Sequence, residues 1–317
     1  MKKILLIKTS SLGDVIHALP AVTDLKATGA VARVDWVVEE SLVSLVKLHP
    51  GVDGVIPVAM RRWRRAWWRR SIREEISAAR RRLRAQTYDA IIDAQGLLKS
   101  ALVARAARGV RHGLDFHSAR EPLAPFYDHT YRIPWDLHAV ERTRLLLARA
   151  AGYGVPSRCD YGIRSSPCTF TWLGQGAYAV LLHASSGDYK LWDERNWKIL
   201  GDALNAAGLA CVLPSGDARA RARSERIAAQ LHAAVVAPAL GLEELAGLAA
   251  GAKTVIGVDT GLTHLAAALG VPTVGIYNAT DPAATGIYGC PRAVSLGGIG
   301  RAPTAPQVIA AVEVLAR

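Results

Sequence analysis

The chain has 317 residues, half of them hydrophobic and 21% charged, with a formal net charge of +12. That is too long for one ordinary core, apolar enough for two, and too poor in charge for a disordered polyelectrolyte. Four cysteines (Cys159, Cys168, Cys211 and Cys290) form no CxxC pair and no zinc spacing, which points away from a disulfide scaffold and toward free thiols in a reducing cytoplasm.

The first strand is expected over Ile4–Ile7. Lys8 interrupts this apolar run and no small-residue cleavage site follows, so it reads as a buried strand and not as a signal peptide. The strand runs into KTSSLGDVIHALPA, where Gly13 permits a tight turn and a helix is expected over Asp14–Ala27. Asp14 at the amino end of that helix is either an ordinary cap or a carboxylate facing a ligand. The loop is not GxGxxG, hence not a dinucleotide fingerprint, and Pro20 is expected to interrupt the helix.

Further strands are expected over Val34–Val38, Gly54–Val58 and Ala90–Asp93, with helices near Ser41–Leu48, Ile72–Ala85, Leu97–Ala107 and His138–Ala151. Between Arg61 and Arg70 the sequence RRWRRAWWRR holds six arginines and three tryptophans, Trp63, Trp67 and Trp68. Arginine forks bind phosphate and tryptophan favours membrane interfaces, although aromatics among arginines also suit nucleic-acid stacking. Residues 1–150 carry 26 basic against 15 acidic side chains, whereas residues 151–317 carry 13 against 12. The first half is therefore expected to face a polyanion, whether nucleic acid, anionic membrane or phosphorylated substrate.

The alternation stalls between Gly152 and Gly176, a stretch rich in Gly, Pro and Ser. Domains are accordingly expected at 1–152 and 177–317, joined by a linker over 153–176, with a last helix that could pack back on the first domain. In the second half strands are expected over Ala179–His183, Ala210–Pro214, Val235–Ala237, Thr254–Val258 and Thr273–Tyr277. Helices near Glu194–Ala206, Arg219–Leu231, Leu242–Ala249, Thr263–Ala268 and Pro306–Leu315 alternate with them. Such alternation predicts parallel sheets wrapped on both faces, with the ligand in a cleft between the two α/β units at the carboxyl ends of the strands.

Two loops of this half suit a phosphate-bearing ligand. LLHASSGDYK places Ser185, Ser186 and Lys190 after a strand, and VDTGLTHLAAALG places Asp259, Thr260 and Gly261 at a helix start with His264 one turn in. Free amides and the helix dipole make the second a natural diphosphate site, and a capped helix with nothing bound is the plain alternative. The uncharged run Thr260–Thr280 contains Gly261, Gly270, Pro272 and Gly275, so it reads as helix, turn and strand, and no transmembrane helix is expected. No Asp-x-Asp pair occurs to hold a metal on a nucleotide diphosphate, so Lys190, hydroxyls and the helix terminus are left to meet its charge.

KTSSLGDVIHALPA, IPVAMRRWRRAWW, YDAIIDAQGLLKSALVA, AREPLA, HAVERTR, LLHASS and VDTGLTHLAAALG, in this order, resemble the lipopolysaccharide heptosyltransferases. RRWRRAWW and AREPLA are the segments that point to the first enzyme of that series. The resemblance implies a GT-B architecture of two Rossmann-like α/β domains, an ADP-L-glycero-D-manno-heptose donor on the second and a Kdo2-lipid A acceptor on the first. It implies Asp14 as general base of an inverting displacement. It also implies donor contacts at Ser185, Ser186, Lys190, Leu240, Asp259, Thr260, Gly261 and His264. Acceptor contacts are implied at Ser11, Gly13, Arg61, Arg62, Arg64, Arg65 and Arg120.

No metal site or cofactor is expected, and no nucleic-acid partner. A cytoplasmic protein resting on the anionic inner-membrane surface is, which fits the basic excess of the first half. One departure concerns the ribose: where the family often has acidic residues after Gly216, this chain reads Asp217-Ala218-Arg219, so Asp217 is only a candidate substitute. A transferase adding a later sugar, a nucleotide-sugar epimerase and a nucleic-acid-binding protein are the competing readings. Sugar transfer to the lipid acceptor separates the first enzyme from all three.

Overall fold

The computed structural model describes residues 2–316, which divide between Ile163 and Arg164 into two compact units. The first contains strands β1 (Lys2–Ile7), β2 (Val31–Glu39), β3 (Gly54–Val58), β4 (Thr87–Asp93), β5 (Arg108–Leu114) and β6 (His129–Tyr131). Its helices are α1 (Leu12–Ala27), α2 (Val43–Lys47), α3 (Met60–Ala66), α4 (Arg70–Arg84), α5 (Leu98–Ala106) and α6 (Ala139–Ala151). The second contains β7 (Tyr178–Leu182), β8 (Ala210–Leu213), β9 (Ala234–Val236), β10 (Thr254–Val258), β11 (Thr273–Tyr277) and β12 (Ala293–Gly297). Its helices are α7 (Glu194–Ala206), α8 (Ala218–Ala228), α9 (Leu242–Gly251), α10 (Gly261–Ala268), α11 (Pro282–Thr285) and α12 (Ala305–Ala316).

Both sheets are wholly parallel and share one topology. The orders β3-β2-β1-β4-β5-β6 and β9-β8-β7-β10-β11-β12 are each the doubly wound dinucleotide-fold order. The central strands explain why. Ile4, Leu5, Leu6 and Ile7 of β1 are all fully buried, as a strand covered on both faces requires. In the second unit alternate residues of β7 serve opposite layers: Ala179 and Leu181 pack with α7 and α12, while Val180 and Leu182 pack with the layer of α9 and α10. Strand order reverses between β1 and β4 in one unit and between β7 and β10 in the other, so each sheet has its own crevice there.

Several expectations are corrected. Pro20 does not interrupt α1, which runs unbroken to Ala27 because Val15, Ile16, Leu19, Val22 and Leu25 are buried and the helix packs along α6. β5, β6 and β12 were not foreseen: RGVRHGL, HTY and AVSLG carry short or broken apolar runs, and neighbouring strands recruit them. MRRWRRA forms α3. The stretch expected as a linker is shared: Tyr161 and Ile163 are buried in the first unit, while Phe170, Trp172 and Leu173 pack on the second. Helix α12 packs on α7, β11 and β12 of its own unit.

Candidate active site

The first unit builds its site at the β1/β4 crevice. Ser11 caps α1 and Asp14 stands at the third helical position, where its Oδ2 accepts from the Ser11 amide at 2.7 Å and the Ser11 hydroxyl at 2.8 Å. This is the returning half of a capping box. Among the described residues Oδ1 has no such partner, so the carboxylate is anchored through one oxygen and open at the other. The plain cap reading and the catalytic reading thus use different atoms.

Across the crevice, Gln95 Oε1 accepts from the amides of Thr9 and Ser10, both at 3.0 Å, and locks the β1 loop to the β4 loop. Asp93, buried at the end of β4, accepts from the Gln95 and Gly96 amides and from Tyr127 Oη, so it shapes the turn that carries Gln95. Burial pushes the Asp93 carboxyl above its ordinary value despite these bonds. Lys8, buried beside it, donates a hydrogen bond from Nζ to Ala94 O at 3.0 Å. Burial lowers the Lys8 ammonium from its usual range, against the pull of Asp14 and Asp93.

Asp14, Lys8, Gln95, Ser118, Arg120 and Arg142 line one cavity of about 140 Å3. Arg142 is fixed there by Pro134 O and Ser118 O, both at 2.8 Å, and by stacking 3.9 Å over Trp135. Arg120 is exposed and has no carboxylate partner among the described residues. Asp14 and Arg120, expected from sequence, therefore line the same cavity. Gly13 lies within α1 beside Ser11.

The arginine cluster sits apart, on α3. Arg62 is tied down by Glu40 at 3.0 Å and Glu75 at 2.8 Å, while Trp63 Nε1 donates to Glu75 at 2.9 Å. Arg61, Arg64 and Arg65 are exposed and have no carboxylate partner among the described residues. The cluster thus divides into one brace and three available cations.

The second unit repeats the plan at the β7/β10 crevice. Asp259 follows β10 directly and gathers the loops: Lys190 Nζ stands 2.7 Å and Thr280 Oγ1 2.8 Å from its Oδ2, and His264 Nε2 lies 3.6 Å from Oδ1. Ser185 Oγ donates to Asp259 O at 2.9 Å. Burial alone would push the Asp259 carboxyl up, but hydrogen bonds from His264, Lys190 and Thr280 outweigh it and hold the group well below the usual carboxylate range. Thr260 takes the extended cap conformation before α10 without a side-chain cap bond, and Gly261 and Leu262 contribute the first two helical amides, which no helical carbonyl satisfies.

Ser185, Lys190, Asp259, Thr260, Gly261 and His264 are thereby brought together. Ser186 is exposed beside them, and Leu240 packs on the layer under α9 and α10. Asp217 caps α8, accepting from the Ala220 amide at 2.7 Å. Thr280, Lys8, Gln95 and Arg142 were missed by sequence reasoning. A polar residue at the carboxyl end of a parallel strand was the signal available for Lys8, Gln95 and Thr280; Arg142, inside α6, gave none.

Among the described residues no group of three or more His, Cys, Asp or Glu side chains is placed to hold a metal ion. Each crevice instead joins a polar strand-end loop to a helix amino end, one with an open carboxylate, the other with a lysine and free amides.

The profile of glycosyltransferase family 9 (heptosyltransferase) matches residues 76–307. Lipopolysaccharide heptosyltransferase 1 of Escherichia coli K12 is 46% identical over 290 residues, covering 90% of this chain and 91% of that protein. A solved E. coli heptosyltransferase with ADP superposes with a TM-score of 0.90 at 42% identity, covering 99% of both chains. A second structure of that enzyme, with ADP-2-deoxy-2-fluoro heptose, gives a TM-score of 0.87 at 42% identity over 98% of this chain and 99% of that one.

Proposed function

The chain belongs to glycosyltransferase family 9, the heptosyltransferases, and on that premise we propose that it moves L-glycero-D-manno-heptose from ADP-heptose to the Kdo of Kdo2-lipid A, with inversion and without a metal ion. The observation that carries the catalytic part is the divided Asp14 carboxylate, held at Oδ2 and open at Oδ1. The Kdo hydroxyl attacks the anomeric carbon of the heptose and passes its proton to Asp14 Oδ1 as the new C–O bond forms. The bond from that carbon to the diphosphate breaks on the opposite face, and ADP departs with the electron pair.

The charge that grows on ADP is met by Lys190 Nζ and the first amides of α10, which are already oriented. Asp259 holds Lys190 in place and does not itself meet phosphate, since two anions repel. Crystals of a relative with an ADP-heptose analogue support the donor, and the curated relative's name supports the lipopolysaccharide acceptor. The acceptor's phosphates and carboxylates also match the basic excess of residues 1–150. On this reading the protein works in the cytoplasm against the anionic face of the inner membrane. Among the described residues no helix is long and apolar enough to cross it.

The test is to incubate the protein with ADP-heptose and Kdo2-lipid A, with and without EDTA, and weigh the lipid by mass spectrometry. A gain of one heptose that survives EDTA supports the reaction and its independence of metal. No gain, beside a working control enzyme, shifts the assignment to a family member with another acceptor.

A further inference from the structure

A second cavity of about 720 Å3 opens among α3, α4 and α5 of the first unit, within the size range of ligand pockets, ~300–1,000 Å3. Its walls are apolar, built from Val58, Met60, Leu83 and Val103. Arg61, Arg64, Arg80 and Lys99 also line it, and the three arginines are exposed and lack carboxylate partners among the described residues. Trp63, which also lines the cavity, and Arg62 tie α3 down through Glu40 and Glu75, so the wall is fixed by polar contacts. Trp67 and Trp68 continue the apolar surface, 63% and 59% exposed, and Leu102 of α5 is 54% exposed.

An apolar chamber lined also by cations without carboxylate partners suits an amphiphile with an aliphatic tail and an anionic head. One of these cations reaches the candidate site of the first unit. Lys99 Nζ donates to Ser10 Oγ at 3.2 Å, and Ser10 adjoins the residue that anchors Asp14. One ligand with its hydroxyl at Asp14 and its phosphate over Lys99 and the arginines carries its tail toward this chamber. We propose that the cavity receives an acyl chain of the glycolipid acceptor. This rests on the acceptor reading given under Proposed function.

The test compares KM for Kdo2-lipid A in detergent micelles with KM for its fully deacylated form. Two variants are used, Ala106→Phe to fill the chamber and Leu102→Arg to charge its exposed lip. Displacing about two methylenes from an apolar pocket implies that KM for the acylated acceptor rises about tenfold. KM for the deacylated acceptor stays within about twofold, which also shows that the variants fold.

Unchanged values for both acceptors, or equal rises in both, overturn the proposal. So does a loss of binding to phosphatidylglycerol vesicles at constant KM, which assigns the chamber to a bilayer lipid. Dissociation of a dimer at constant KM assigns it to a second copy of the chain and overturns it equally. Failure of the wild-type protein to transfer heptose to either acceptor instead rejects the underlying functional reading.

Discussion

Asp259 shows how one buried carboxylate can serve a site without touching the reacting atoms. Lys190, Thr280 and His264 converge on it, and on the proposed reading it holds the lysine for an incoming diphosphate. A hydrogen bond to a charged group contributes about 1.5–3 kcal/mol, so Thr280→Val should loosen Lys190. The expected outcome is a rise of about tenfold in the Kd for ADP by calorimetry, measured at a temperature where the variant is fully folded; an unchanged Kd would mean that Lys190 needs no such support. The placement of Asp14, Lys190 and Asp259 at the strand-end crevices could be read from sequence because each lies in a local strand-to-loop pattern. Thr280, Gln95 and Arg142 could not be joined to them, since 21 residues separate Thr280 from Asp259 and 85 separate Gln95 from Ser10.

The elements that position these side chains were legible in proportion to their burial. β1, β4, β7 and β10, the strands beside the two crevices, were each located by their apolar runs, although β1 begins two residues and β4 three residues before the expected start. The peripheral strands β5, β6 and β12 have no such run, because an outlying strand buries less and tolerates Arg, His and Gly. Pro20 misled for the opposite reason: tertiary packing outweighed a local propensity, as it does for most helices. Gly257 is the case where an element's closeness depends on one missing side chain. A Cβ there would meet Thr263 Oγ1 and come within 2.9 Å of Leu182 Cβ, so glycine lets α10 settle on β10 and brings its amino end to the crevice. The arginine run was legible as an exposed basic segment. Its division into a brace, Arg62, and free cations was not, because Glu40 and Glu75 come from other elements.

Each unit repeats one architecture, and on the proposed reading the two supply different parts of the chemistry: an open carboxylate from the first, a lysine and a helix amino end for the diphosphate from the second. Each also buries a histidine that stays neutral. Burial pushes His49 and His183 down to about 4 from the ordinary 6.5. The unfolded chain takes up protons from about pH 6.5 downward while the folded one resists until about pH 4. Stability from these groups is therefore complete above pH 6.5 and lost as pH falls toward 4, by up to about 3 kcal/mol for each. His49 accepts from the Gly51 amide through Nδ1 and pairs with Thr23 through Nε2. In His49→Gln the melting temperature should fall less between pH 7 and pH 5 than in the wild type, by differential scanning calorimetry. Parallel declines would assign the acid sensitivity elsewhere.

The most direct test of the account separates the two oxygens of Asp14. Asp14→Asn keeps an oxygen for the Ser11 amide and removes the proton acceptor. The measurement pairs turnover of heptose onto Kdo2-lipid A with the Kd for ADP-heptose. The account predicts that turnover falls at least about a hundredfold, the scale of general-base catalysis, while the Kd stays within about twofold. Near-normal turnover, or an equal loss in both quantities, would contradict it and leave Asp14 as a helix cap alone.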